Sequence, residues 1–219
     1  MPGFFMLSFF VPENKEDFNR MECATEKKRF GTKEMVRISL LGLLGFMLLM
    51  LNFPIPLIPS FLELDIANLP GIIAALTMGP LAGVAVEFVK NLLKIVISTQ
   101  TVGVGEISNF ICGVSLIVPL GIIYAKTKSL KGYILGGAVG IITLCAVASL
   151  SNYYFIIPAY AVVFGGMDAI IGLASSVNAS VTDLSGLIVL SVIPFNIIKG
   201  LVNVALGYVL YKFLRPLFN

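Results

Sequence analysis

Long apolar segments separated by short polar connections extend from about residue 35 to the C-terminus. A membrane-spanning helix needs about 20 mostly apolar residues. Six segments approach this description, although the turn-forming Met78-Gly79-Pro80 makes the second one short. The pattern therefore predicts an all-α membrane protein with six transmembrane helices, at about 35–52, 67–79, 80–98, 105–125, 132–152 and 187–214.

Residues 153–186 depart from this pattern, because Pro158, Gly165 and Gly166 interrupt an otherwise apolar segment. Glycine and proline are the strongest local breakers of regular structure. We therefore expect a long loop after the fifth helix, with a short interfacial helix near 166–176.

Basic residues are concentrated at alternate ends of the predicted helices. Seven Lys and Arg residues lie at or before Arg37, three lie in the 126–131 connection, and Lys212 and Arg215 lie at the C-terminal end. None occurs in the other three connections, which are 53–66, 99–104 and 153–186. Because short basic loops stay on the cytoplasmic side, both termini are predicted to be cytoplasmic.

The composition agrees with a membrane protein. Hydrophobic residues make up 58% of the 219-residue chain and charged residues 12%, whereas soluble domains have about 45–50% and about 25%. The net charge of +3 gives no reason to expect nucleic acid as a partner. We predict a partly disordered cytoplasmic tail at 1–34, one six-helix domain at 35–215, and a cytoplasmic end at 216–219.

Two of the three lysines inside predicted spans lie on the third helix. An ionisable group at a helix centre costs about 2.5–3.5 kcal/mol, so it faces a partner or a polar cavity. Lys90 and Lys94 share one helical face with Glu87 and Asn91. Glu87 can pair with Lys90, and Lys94 is near enough to the helix end to reach water. We favour a structural role for both lysines over a ligand contact.

Lys199 is placed differently, about 18 Å along the last helix from residue 187. Its own helix offers no acidic partner, and Asn196 and Asn203 lie on the same face. This stripe of amides and ammonium can hydrogen-bond a flat ligand rich in carbonyl or hydroxyl groups. The alternative is a structural pair between Lys199 and Glu87 across the bundle.

Asn152 is predicted to end the fifth helix at the depth where the last helix begins. It can be a helix cap, or it can line a cavity together with Asn196 and Lys199. The connections 53–66 and 153–186 carry many apolar and aromatic groups, so they are suited to cover a flat ring in such a cavity.

Small residues in lipid favour contact between helices. On the first helix Ser39, Gly42 and Gly45 lie along one side, and the fifth helix has Gly136 and Gly140 in a GxxxG arrangement. The first set is a candidate surface for docking a partner protein, and packing within the bundle is the alternative for both.

Several kinds of chemistry have no support in the sequence. There is no histidine, no CxxC pair and no Gly-Lys dipeptide, so metal binding and a P-loop are not expected. We expect no cofactor and no catalytic residue. Two classes of function remain open here: a small intramembrane enzyme that uses Lys199 as a base or Schiff-base nucleophile, and a purely structural membrane subunit.

Four segments, in order, resemble the riboflavin-specific S components of energy-coupling factor (ECF) transporters: LELDIANLPGIIAALTMGPLAGVAVEFVKNLL, GVGEISNF, NYYFIIPAY and IPFNIIKG. The resemblance covers about residues 35–215. It implies a six-helix subunit in a prokaryotic cell membrane that captures riboflavin from outside and leaves FMN and flavin analogues open as further ligands. An S component for another vitamin is the alternative within this class.

The resemblance also implies partners and site residues. Such subunits dock on a membrane coupling protein that carries two cytoplasmic ATPases, so this chain would not hydrolyse ATP itself. The ligand contacts would fall on Asn152, Asn196 and Lys199, and the gate on the segment that contains Phe61, Leu62, Glu63 and Asp65. Docking usually uses alanines four residues apart, whereas Ser39, Gly42 and Gly45 are spaced by three.

Overall fold

The computed structural model describes residues 30–54, 56, 58–99 and 101–218. The predicted cytoplasmic tail therefore lies mostly outside the described residues. The chain divides into two compact units, 1–33 and 34–219. All the described helices and strands lie in the second unit, apart from the first two residues of the helix that begins at Thr32.

Helices make up most of the described residues. A short two-stranded antiparallel ribbon lies between the first two helices and pairs Phe53 with Leu64. In chain order the elements are α1 (Thr32–Leu49), β1 (Phe53–Pro54), β2 (Glu63–Leu64), α2 (Leu69–Met78), α3 (Pro80–Ser98), α4 (Val104–Thr127), α5 (Leu130–Ser151), α6 (Ile157–Phe164), α7 (Met167–Ser175), α8 (Leu184–Leu187) and α9 (Ile193–Phe218).

The prediction that 153–186 is mostly a long loop is wrong. A π-helical turn, Asn152–Ile156, joins α5 directly to α6, so that one helical run continues to Phe164. Proline cannot donate a backbone hydrogen bond and would normally interrupt a helix. The wider π turn lets the helix continue through Pro158. Asn152 is therefore an interior residue of this run and not its end. The predicted short helix near 166–176 is present as α7.

The last helical run has the same construction. A π turn, Ile188–Val192, joins α8 to α9 directly before Pro194. The run therefore begins at Leu184, three residues before the predicted start, and continues to Phe218. Both π turns lie close to the asparagines of the predicted site, Asn152 and Asn196.

Close approach of helix backbones explains the glycines of α5. A Cβ atom added at Gly136 would lie 3.0 Å from the carbonyl oxygen of Leu120, and one added at Gly140 would lie 2.6 Å from that of Leu116. The GxxxG arrangement is thus used for packing α5 against α4 within the bundle.

The buried core of these helices is apolar, and includes Ile72, Leu116, Leu120, Leu144 and Val192. Many large apolar side chains also lie on the outer surface, which suits a helix bundle surrounded by lipid. Among the residues that the structure describes, three helical runs are long and apolar enough to cross a membrane: Val104–Thr127, Leu130–Val163 and Leu184–Leu214.

Candidate ligand site

An open cavity lies between the ends of the long helices and the connection that contains the β ribbon. Its volume is about 190 Å³. The structure brings all seven predicted ligand residues to its lining, namely Asn152, Asn196, Lys199, Phe61, Leu62, Glu63 and Asp65.

Lys199 lies in this lining and is nearly buried, with 7% of the residue exposed. Its ammonium group donates to Oδ2 of Asp65 at 2.7 Å and to Oδ1 of Asn109 at 3.3 Å. An ammonium group has three N–H donors. Two protein acceptors therefore fix the direction of the group and leave one donor for a ligand in the cavity. The predicted alternative partner, Glu87, is paired elsewhere.

Asp65 is itself held in place by three contacts. Besides pairing with Lys199, its Oδ1 accepts from the backbone N–H of Ala67 at 3.0 Å, and its backbone oxygen accepts from Asn203 at 3.2 Å. Burial acts to raise the pKa of Asp65, but the nearby ammonium groups of Lys199 and Lys90 outweigh it and keep that pKa below its usual value. Asp65 is therefore a fixed anionic partner for Lys199.

The two asparagines of the lining are oriented by their own helices. The side-chain amide of Asn152 donates to the backbone oxygen of Ala148 at 2.8 Å, and that of Asn196 donates to Val192 at 2.8 Å. Neither side-chain oxygen accepts a hydrogen bond within the described part of the chain. Each asparagine thus offers one acceptor, and one further N–H donor, beside the ammonium of Lys199.

Apolar side chains complete the cavity. Phe61 and Leu62 come from the connection before β2, Ile156 and Tyr160 from the α5–α6 run, and Phe195 from α9. The ammonium of Lys199 lies 5.9 Å from the ring centre of Phe195. Apolar and aromatic side chains beside fixed polar groups are typical of sites for flat, heteroatom-rich small molecules.

A second charged group lies in the bundle outside this lining. Lys90 and Glu87 are both fully buried, with Nζ of Lys90 at 2.5 Å from Oε2 of Glu87. Lys90 also donates to Oδ1 of Asn68 at 2.8 Å. The predicted pairing of Glu87 with Lys90 is therefore present. Lys94, by contrast, is half-buried and lines the cavity.

Sequence reasoning missed the contribution of the N-terminal part of α4. Glu106, Ser108, Asn109 and Cys112 all line the cavity, as does Thr101 just before the helix. A signal was present, because a glutamate and an asparagine begin an otherwise apolar helix. What the sequence could not give was the side of the helix that faces Lys199.

The three predicted docking residues are placed on different sides of α1. Gly42 and Gly45 are buried, and a Cβ added at Gly42 would lie 2.7 Å from Cβ of Val89. These two glycines pack α1 against α3 in this structure. Ser39 is exposed.

Together these features define a helical membrane protein with a binding cavity for a small polar-edged molecule. Among the described residues no cluster of three or more His, Cys, Asp and Glu could hold a metal ion. A sequence model of the family described as "ECF transporter, substrate-specific component" matches residues 33–211. The chain belongs to this family of transporter subunits.

Characterised relatives are similar over most of their length. The riboflavin transporter FmnP of Bacillus subtilis is 35% identical over 186 residues, which are 84% of this chain and 93% of the relative. The riboflavin transporter RibU of Staphylococcus aureus is 36% identical over 180 residues, 82% of this chain and 89% of the relative. These relatives are transport proteins and not enzymes.

The fold has a solved counterpart. The structure described as "Structure and mechanism of the S component of a bacterial ECF transporter" matches with a TM-score of 0.67 and 33% sequence identity. The match covers 85% of this chain and 98% of that chain.

Proposed function

We propose that this protein is the riboflavin-binding subunit of an ATP-dependent ECF importer. The observation that carries the proposal is the fixed group of Lys199, Asn196 and Asn152 in one cavity that also has apolar and aromatic side chains. A flavin ring is flat, largely apolar, and carries carbonyl and ring nitrogen groups along one edge, which matches these donors and acceptors. The relatives named as riboflavin transporters support the same ligand.

In this proposal the residues have distinct roles. Lys199 donates its remaining N–H to a flavin acceptor, and Asn152 and Asn196 each donate and accept along the same polar edge. Phe61 and Leu62 pack on the ring, while Glu63 and Asp65 belong to the connection that covers the cavity. Opening of the part of that connection before Asp65 would admit the vitamin.

The finer topology is also part of the proposal. Six spans place both termini in the cytoplasm of a prokaryotic cell, because Arg37, Lys212 and the 126–131 connection then share the cytoplasmic side. The cavity then opens outward. Partner proteins would supply the energy, since the sequence has no P-loop. We place the docking surface for the membrane coupling protein, which carries two ATPases, on the exposed side of α1 that includes Ser39.

The test begins with the detergent-purified protein. We expect denaturation to release stoichiometric flavin. Added riboflavin should then rebind to the emptied protein, with quenching of its fluorescence. Lys199→Gln should weaken riboflavin binding by about tenfold or more, because a hydrogen bond to a charged group is lost. The control is Lys126→Gln, which changes an exposed lysine away from the cavity.

A folding defect must be separated from a binding defect. Lys199→Gln removes one partner of a buried ion pair, so Asn196→Ala, which leaves that pair intact, is measured beside it. A protein that neither contains nor binds riboflavin refutes the assignment, and other vitamins are then tested. Wild-type affinity in a folded Lys199→Gln variant refutes the role of the lysine.

The enzyme alternative is disfavoured by the geometry of Lys199. An amine attacks a carbonyl through its free lone pair, whereas an ammonium held at 2.7 Å from a carboxylate has none available. Borohydride trapping with added carbonyl compounds should therefore give no covalent adduct at this residue.

A further inference from the structure

Glu106 is the one carboxylate of the cavity lining for which the family resemblance and the proposed function give no role. It lies in the first turn of α4, only 4% of the residue is exposed, and it lines the cavity. A buried carboxylate that faces a cavity is a candidate ligand contact.

Two threonines hold one oxygen of this carboxylate. Oε2 of Glu106 accepts from the hydroxyl of Thr99 at 3.2 Å and from that of Thr101 at 3.1 Å. The same hydroxyls accept from the backbone N–H groups of Gly103 and Gly105, each at 3.0 Å. Because each hydroxyl has one hydrogen, these contacts direct the hydrogen of Thr99 toward Glu106, while Thr101 lies between Glu106 and the hydroxyl of Tyr160. The carboxylate is thus fixed before any ligand arrives.

The other oxygen of Glu106 is available to a ligand. No residue in the described part of the chain donates to Oε1, and no Lys or Arg nitrogen there lies within 4.0 Å of the carboxylate. Lys199, the nearly buried cation of the lining, is already neutralised by Asp65. The free oxygen can only accept hydrogen bonds, so its ligand partner must be a donor such as a hydroxyl group.

The net charge of the lining also favours an uncharged ligand group at Glu106. Among the described residues the lining contains three carboxylates, Glu63, Asp65 and Glu106, and two ammonium groups, Lys94 and Lys199, so that their formal charge is −1. A phosphate ester carries about −1.5 to −2 at pH 7. A ligand that places a phosphate near Glu106 is therefore repelled, whereas a neutral polyol is not.

We propose that Glu106 binds a hydroxyl of the ligand's polyol chain and, through its charge, selects the free vitamin over its phosphate ester. This rests on the proposed function, because it takes the ligand to be a flavin. It also gives the ligand an orientation in which the ring edge is at Lys199 and the ribityl chain is at Glu106.

Three flavins separate the parts of this proposal. Riboflavin has the hydroxyl chain, lumiflavin lacks it, and FMN carries a phosphate at its end. Each is titrated by fluorescence quenching against wild type, Glu106→Gln and Glu106→Asp. The control is Asp168→Asn, which removes one negative charge at a position outside the cavity lining.

Wild type should prefer riboflavin to FMN. Glu106→Gln should weaken riboflavin binding by about tenfold, because a hydrogen bond to a charged acceptor is lost. It should leave lumiflavin binding unchanged. It should also reduce the preference for riboflavin over FMN by tenfold or more. Glu106→Asp should weaken riboflavin and keep that preference, since it shortens the side chain and retains the charge. Asp168→Asn should match wild type throughout.

Several results overturn the proposal. These are equal wild-type affinities for riboflavin and FMN, an unchanged riboflavin affinity in Glu106→Gln, or an equal loss for lumiflavin and riboflavin. If Glu106→Gln does not fold, Glu106→Asp decides, and unchanged riboflavin affinity there overturns the proposal. A wild-type protein that binds no flavin refutes the proposed function as well, whereas flavin binding that is indifferent to Glu106 refutes this inference alone.

Discussion

Replacement of Lys90 by methionine should destabilise the folded protein strongly while leaving ligand affinity nearly unchanged. Lys90 is fully buried, and its Nζ contacts Glu87 at 2.5 Å and Asn68 at 2.8 Å. Methionine keeps most of the side-chain volume, so the change is mainly electrostatic. It leaves the carboxylate of Glu87 buried without a cation and removes the donor to Asn68.

The size of the effect is set by these two losses. Removal of one partner of a buried ion pair costs about 3–5 kcal/mol, and a buried acceptor left without a donor costs about 1–3 kcal/mol more. Polar contacts in membrane proteins are often weaker than this, because the unfolded state in lipid or detergent also finds partners. We therefore expect a loss of about 3 kcal/mol for Lys90→Met.

A second substitution should restore much of this loss. In Glu87→Gln/Lys90→Met no charge remains at the position, so the double variant should be more stable than Lys90→Met by about 2 kcal/mol. The matched control is Lys94→Met, on the same face of α3 but half-buried and without an ion pair among the described residues. It should cost less than about 1 kcal/mol.

Unfolding by denaturant in detergent micelles measures these differences, and riboflavin titration of the same samples measures binding. Stability of Lys90→Met equal to that of Lys94→Met would refute the reasoning about the buried pair. Loss of riboflavin binding in Lys90→Met at unchanged stability would show instead that Lys90 acts on the ligand.

Two further substitutions test the packing and the charge of the site. The pKa of Asp65 is lowered in the folded protein, so its pairing stabilises the protein at any pH above the usual aspartate pKa of about 4. This stabilisation is lost as the pH falls through the pKa of Asp65 in the folded protein. Asp65→Asn should therefore cost about 2 kcal/mol at pH 7. In unfolding measurements the difference from wild type should shrink as the pH falls through the lowered pKa of Asp65; a constant difference would contradict this. Gly140→Ala should lower stability by about 1–3 kcal/mol, since its Cβ would lie 2.6 Å from a backbone oxygen. The control Gly172→Ala, with no atom within 4 Å, should be neutral or stabilising, and equal melting temperatures for the two would argue against backbone contact at α5.

The hydrophobic pattern predicted most helices because their lengths and apolar faces are set locally. The bounds of α3, Pro80–Ser98, agree with the predicted segment. The failure at 153–186 has a specific cause. Proline usually breaks a helix, but a π turn at Asn152–Ile156 accommodates Pro158 within one helical run. Such a turn depends on tertiary packing, which a single sequence does not display.

The partners of the buried charges were predictable only where they are close in sequence. Glu87 and Lys90 are three residues apart on one helix, so their pairing is a consequence of helical geometry. Asp65 and Lys199 are 134 residues apart, and Asn109 comes from a third element. The contacts between α4, α9 and the connection before α2 decide which acid meets Lys199, and no local pattern encodes them.

The two buried lysines form similar ion pairs and hydrogen bonds in this bundle but have different roles. Lys199 pairs with Asp65, and Lys90 donates to Asn68, so both lysines hold the same short segment before α2. Ala67, between these residues, has its backbone oxygen 3.3 Å from where a Cβ at Gly45 would lie. The segment is therefore fixed from α9, from α3 and from α1 at once.

The difference between the lysines is what remains unpaired. Lys90 is enclosed, with a carboxylate and an amide oxygen as partners and no place in the cavity lining. Lys199 borders the cavity and retains a donor beyond Asp65 and Asn109. Because the cost of burying a charge is met by pairing in both cases, pairing alone does not identify a ligand contact. A ligand contact is identified instead by access of the remaining donor to a cavity. For that reason substitution of Lys199 should change ligand affinity, and substitution of Lys90 should change stability.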